Sequence, residues 1–148
     1  MAIYYYSEDI KKPKLKYKLI SIWLNTYILY QGFVLGRINY IFCKDDYLKE
    51  INIKFLKHDF FTDIVTFDNT IGSKLDAEIY ISMERVLDNA IDFGCSFEDE
   101  FLRVIIHGVL HLMGISDSSD EDKVNMRTIE EECIIVYKRL QNEFFKRI

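Results

Sequence analysis

One stretch decides what this chain can become: Ser96 to Asp120, reading SFEDEFLRVIIHGVLHLMGISDSSD. Phe97, Phe101, Leu102, Val104, Ile105, Ile106, Val109, Leu110, Leu112 and Met113 set apolar side chains nearly all the way round a helix. Such a helix has little surface to give to water, so the remaining chain has to be built around it. A single polar line survives: Ser96, Glu100, Arg103, His107, His111 and Gly114, spaced 4, 3, 4, 4 and 3. On a 3.6-residue helix those positions share one line, so the polar groups look toward one place.

Both ends of this helix are marked. Ser96 is a candidate N-cap, with Glu98, Asp99 and Glu100 in the first turn, where the helix dipole favours acids. Gly114 suits the left-handed position that ends a helix. His107 and His111, two of three histidines, lie one turn apart. An i, i+4 pair offset by about 6 Å along the axis can reach a common metal ion. Buried, hydrogen-bonded core histidines would show the same spacing. Two neighbours favour the metal. Gly108 costs about 1 kcal/mol relative to Ala inside a helix, which makes sense if something approaches the backbone closely. Asp117, three residues past Gly114, offers a carboxylate as third ligand and leaves a fourth position for water.

At 148 residues, 49% hydrophobic and 15% aromatic, the chain is expected to form one packed domain over 1–148 and not a disordered segment. The opening MAIYYYSEDIKK carries acids where a secretory signal would stay apolar, and no run approaches the roughly 18 apolar residues of a membrane span. Cys43, Cys95 and Cys133 are odd in number and lack metal-type spacing, which implies reduced thiols in a cytoplasmic protein. A net charge of −5 counts against a polyanionic partner. Residues 1–57 nevertheless hold ten Lys/Arg against five Asp/Glu, so a nucleic-acid face on the first part stays open.

Along the chain, Ile3 to Tyr6 is a β-prone run, and Lys14 to Tyr30 carries Leu15, Leu19, Ile22, Trp23 and Tyr27 at helical spacing. The KKPKLKYK cluster is either a phosphate contact or a solvated helix start. Gly32 and Gly36 bracket a turn, after which Arg37 to Cys43 alternates as a half-buried strand. Asp45 or Asp46 caps a helix to Leu56. Ile64 to Phe67 and Asp76 to Ser82 are strands close enough in sequence to pair antiparallel. Ser82 caps a helix, Met83 to Phe93, ended by Gly94. Ser119 or Asp120 caps a final helix that buries Met126, Ile129, Ile134, Tyr137 and Leu140. This order predicts an α+β fold: a small mixed sheet of about four strands covered by helices, with the metal site at the end of the buried helix.

Three segments together resemble the YbeY family of metal-dependent endoribonucleases, which act as rRNA maturation factors. The family's HGxLHLxG signature is matched by His107-Gly108-Val109-Leu110-His111-Leu112-Met113-Gly114. Its TDVLSF block is matched by Thr62-Asp63-Ile64-Val65-Thr66-Phe67, and its GDIxIS strand by Ala77-Glu78-Ile79-Tyr80-Ile81-Ser82. Met126 and Glu130-Glu131-Glu132 resemble the downstream helix pattern. Two departures stand out. The family tail after the glycine usually reads Tyr-Asp-His, and this chain has Ile115, Ser116 and Asp117, which puts a carboxylate where the third histidine would be. An arginine six residues before TDVLSF is replaced by Leu56.

The resemblance implies hydrolysis of single-stranded RNA by a metal-activated water, with one Zn²⁺ on His107, His111 and Asp117. Its partners would be single-stranded or ribosomal RNA and the ribosome or a small-subunit precursor, with no membrane. Arg103, one turn before His107, is the candidate catalytic cation in place of the missing arginine; a salt bridge to Glu100 is the alternative for it. Lys57, His58 and Thr66 are candidate RNA-binding residues, and His58 is expected to touch substrate and not metal. The residue after His107 is Gly108 and not the glutamate of HExxH, which argues against a zinc protease. A ribosome-assembly factor with a structural metal is the runner-up.

Overall fold

The structure is a computed structural model that describes residues 2–146. Nine elements follow in order: β1 (Ala2–Ser7), α1 (Tyr17–Tyr30), β2 (Val34–Cys43), α2 (Asp45–Leu56), β3 (Ile64–Asp68), β4 (Lys74–Ser82), α3 (Met83–Phe93), α4 (Phe97–Leu112) and α5 (Asp120–Lys146). The strands form one sheet in the order β1-β2-β4-β3. β1 and β4 both run parallel to β2, and β3 pairs antiparallel with β4, Thr66 opposite Ile79. The architecture is the expected α+β fold with a four-stranded mixed sheet.

Helix α4 is the centre of the core, as its all-round apolar sequence requires. Phe101, Leu102, Ile105, Ile106, Val109 and Leu110 are all fully buried. Its path across the sheet can be followed contact by contact. Phe101 meets Phe42 of β2 with ring centres 5.4 Å apart, and the Tyr40 hydroxyl donates to the Ile105 carbonyl at 2.9 Å. One turn on, a Cβ at Gly108 would lie 3.0 Å from Ile79 Cδ1 and 3.3 Å from Ile64 Cδ1. What approaches the backbone at Gly108 is thus the sheet and not a ligand. The glycine lets α4 settle onto β3 and β4 and so brings the next residues to the β3 edge. On the far side, the indole of Trp23 donates to the Cys133 carbonyl at 2.9 Å, tying α1 to α5.

Local signals fix most boundaries. Ser82 and Ser96 cap α3 and α4 by accepting from Arg85 N at 3.1 Å and Asp99 N at 3.0 Å. Ser119, not Asp120, caps α5, and Asp122 N–H donates to its hydroxyl at 3.0 Å. Three expectations are corrected. α1 begins at Tyr17 and not Lys14, because Tyr17 N–H turns back to Leu15 O and the first helical bond runs from Ile20 N to Lys16 O. Gly36 is not a turn residue. It lies inside β2 at a register shift, where a Cβ would stand 2.6 Å from the Leu75 carbonyl. Asp45 does not cap α2 with its own carboxylate, which reaches α3 instead, to Arg85 Nη2 at 2.8 Å and Ser82 Oγ at 3.1 Å.

Candidate active site

The end of α4 is built to reverse the chain. Gly114 has φ of 88°, Ile115 N–H bonds the Leu110 carbonyl at 3.1 Å, and Gly114 N–H bonds that of His111 at 3.0 Å. This pairing closes the last carbonyls of the helix and turns the chain back over them. Five residues later α5 opens, with Ser119 and Asp122 capping each other. Asp117 sits in the short loop between these two devices, and its Oδ2 comes to 3.7 Å from His107 Nε2.

His107 is held from behind. Its Nδ1 lies 2.6 Å from Glu130 Oε2, and Glu130 is 2% exposed. An ionised carboxylate only accepts, so Nδ1 carries a proton toward Glu130 and leaves Nε2 on the side of Asp117. Burial alone would lower the His107 pKa. The bond to Glu130 and the charges of Glu130, Asp117 and Asp63 outweigh it, so the net direction is upward. The other oxygen of Glu130 accepts from Arg103 Nη1 at 3.3 Å. Arg103 also pairs with Glu100, which is 1% exposed, through two bonds, and its Nη2 lies 3.6 Å from Asp63 Oδ2. Burial would lower the Arg103 pKa, and these three carboxylates raise it instead. Burial in turn raises that of Asp63, against the opposing pull of Arg103 and His107.

His107, His111 and Asp117 line one cleft of about 310 Å³ together with His58 and Thr66. Three larger depressions among the described residues, of about 530, 410 and 320 Å³, contain no histidine, so donor chemistry and not volume selects this one. Five of the seven candidate residues therefore meet in one place. Lys57 and Arg103 do not line the cleft. Lys57 ends α2 in the left-handed conformation, at φ of 57°. Arg103 stands behind His107, its guanidinium engaged by carboxylates. Leu56 lines the wall where the resemblance would place a cation.

The donor chemistry fits a divalent metal: an imidazole oriented through Nδ1 by a carboxylate, a second exposed imidazole one turn on, and an exposed carboxylate. Among the described residues no three His, Cys, Asp or Glu side chains are already gathered closely enough to hold an ion. His107 is the fixed member, while His111 and Asp117 are exposed. Glu130 is the functional residue that motif reading missed. Its signal was present: a charge at position 130 interrupts the buried line of Met126, Cys133 and Tyr137, spaced four, three and four residues apart.

Residues 6–138 match the family model described as Endoribonuclease YbeY. The chain is 48% identical over 115 residues to the Endoribonuclease YbeY of Flavobacterium johnsoniae, covering 78% of this chain and 83% of that relative. It is 40% identical over 136 residues to the one from Parabacteroides distasonis, covering 92% and 96%. The solution structure of TM1509 from Thermotoga maritima is similar in fold, with a TM-score of 0.60 and 26% identity over 98% of this chain and 93% of that one.

Proposed function

The chain belongs to the endoribonuclease YbeY family, and from that premise we propose that it is a zinc-dependent endoribonuclease that hydrolyses single-stranded RNA during ribosomal RNA maturation and ribosome quality control. The observation that carries this reading is His107: fixed by buried Glu130 and facing Asp117, on a cleft that also holds His111 and Thr66. His107, His111 and Asp117 would hold the ion. When bound, zinc would lower the pKa of a water molecule and polarise a phosphoryl oxygen.

The chain's own residues supply the rest. Glu130 keeps the proton of His107 on Nδ1, so that Nε2 stays available on the cleft side. Arg103 balances the charge of Glu130 and Glu100 in the interior and so holds the orienting carboxylate in place. Its part in catalysis is one of positioning, exerted through Glu130 and His107. His58, before the TDIVTF block, and Thr66, within it, both line the cleft and would touch the RNA strand. Partners in the cell would be ribosomal RNA and the small-subunit precursor, in the cytoplasm. No helix among the described residues is long and apolar enough to cross a membrane.

The test is cleavage of an internally labelled RNA presented as a single strand and as a duplex of the same sequence. The reading expects internal cuts in the single strand and little cleavage of the duplex. No cleavage of either RNA by zinc-loaded protein would overturn it.

A further inference from the structure

The loop from α2 to β3 carries two half-exposed aromatic residues. Phe60 is 53% exposed and Phe61 45%. Phe60 lines the same cleft as His107, His111 and Asp117. Its ring is stacked on that of His58, with centres 5.3 Å apart and planes 18° from parallel. Phe61 has a different environment: Lys49 Nζ is 4.4 Å and the Arg85 guanidinium 5.4 Å from its ring centre. Cations therefore engage Phe61, while Phe60 keeps half its surface open at the rim of the cleft.

This exposure is held in place. Asn52, only 2% exposed, donates from side-chain Nδ2 to the Phe60 carbonyl at 3.2 Å, and its backbone carbonyl accepts from His58 N–H at 3.1 Å. Asn52 thus ties both ends of the His58–Phe60 segment to α2, one through its side-chain amide and one through its backbone carbonyl. Side chains such as Tyr30 and Ile71 are exposed elsewhere on this chain; what sets Phe60 apart is its place in the cleft with His107, His111 and Asp117. A flat ring, half exposed in a cleft lined by two histidines of α4 and a carboxylate, matches the way proteins hold unpaired nucleobases.

We propose that Phe60, backed by His58, is a stacking platform for one unpaired nucleobase of the RNA next to the cleaved phosphodiester. On the endoribonuclease reading, on which this role depends, the platform also gives a physical source for single-strand preference. A base inside a duplex has neighbours on both faces and none to offer, whereas an unpaired base can swing onto the ring. Selection would be tolerant of base identity, because every base has a π-face.

The experiment measures equilibrium binding to metal-free protein, so cleavage does not interfere. Fluorescence anisotropy of an end-labelled single-stranded oligoribonucleotide is recorded for wild type, Phe60→Ala, Phe60→Leu and Phe60→Tyr, each against ordinary RNA and an abasic strand of equal length. Expected is a loss of roughly 5- to 150-fold for Phe60→Ala and Phe60→Leu on ordinary RNA, little change for Phe60→Tyr, and no loss on the abasic strand. Unchanged affinity in Phe60→Ala, or an equal loss on both strands, overturns the platform and leaves the endoribonuclease reading intact. A wild type that neither binds nor cleaves RNA overturns both. The exposed position of Phe60 makes a folding failure an unneeded explanation, and circular dichroism of each variant checks it.

Discussion

Replacing Arg103 by Ala should unfold the protein more readily before it says anything about chemistry. The side chain is 15% exposed and links Glu100, at 1%, with Glu130, at 2%, and with Asp63, at 25%. Its removal strands two carboxylates in the interior. Breaking a buried pair by deleting one partner costs about 3–5 kcal/mol, a large part of the roughly 5–15 kcal/mol that keeps a domain folded. With a urea slope of about 2 kcal/mol per molar, the midpoint should fall by about 2 M. A carboxylate buried without its cation binds a proton more tightly folded than unfolded, so the deficit should be largest at neutral pH and shrink as pH falls toward the ordinary carboxylate range. Arg103→Lys should lie between, since a single ammonium cannot reproduce the fork. Combining Arg103→Met with Glu100→Gln and Glu130→Gln should recover most of the loss, because no buried charge remains. A loss below about 1 kcal/mol for Arg103→Ala, the scale of an exposed pair, would refute the reasoning.

Three further outcomes follow from the same geometry. Glu130→Gln should weaken zinc binding about 10- to 100-fold, measured by competition with a chelator, because the group that orients His107 is altered. In metal-free protein His107 binds its proton more tightly than the unfolded chain does. Its stabilising contribution should therefore be complete below its ordinary value of 6.5 and fade as pH rises through the raised native value; thermal melts should show this slope, and Glu130→Gln should flatten it. His58→Ala should keep one zinc per chain and Asp117→Ala should lose it, by metal analysis of the purified variants; the opposite pattern would make His58 the third ligand.

The parts of the fold that could be read from the sequence are those set by neighbours in the chain. Ser82, Ser96, Gly94 and Gly114 mark helix ends because a cap is completed within three or four residues. The α4 stripe was legible because burial on every face is a property of its own composition. What could not be read depends on partners far along the chain. Gly36 is glycine because of the Leu75 carbonyl, and Gly108 because of Ile79 and Ile64. Asp45 looked like a cap until Arg85, forty residues on, claimed its carboxylate. At the site, the line of His107 and His111 and the glycine stop before Asp117 brought three candidates to one cleft. Glu130 was passed over because three consecutive glutamates look like a solvated run, and only the packing of α5 on α4 shows which one is inside. Arg103 was correctly placed on the polar line, but the line continues past the cleft into the interior, and Arg103 lies on the interior part.

The most direct test of the account is a zinc titration of metal-stripped protein followed by single-stranded RNA cleavage. Wild type should be inactive when stripped, and activity should rise linearly and level off at one zinc per chain. His107→Ala, His111→Ala and Asp117→Ala should show no such rise at the same zinc concentrations while remaining folded. Cleavage that is undiminished after stripping, or that reaches the wild-type level in all three variants, would contradict the assignment of these residues to a metal that drives RNA hydrolysis.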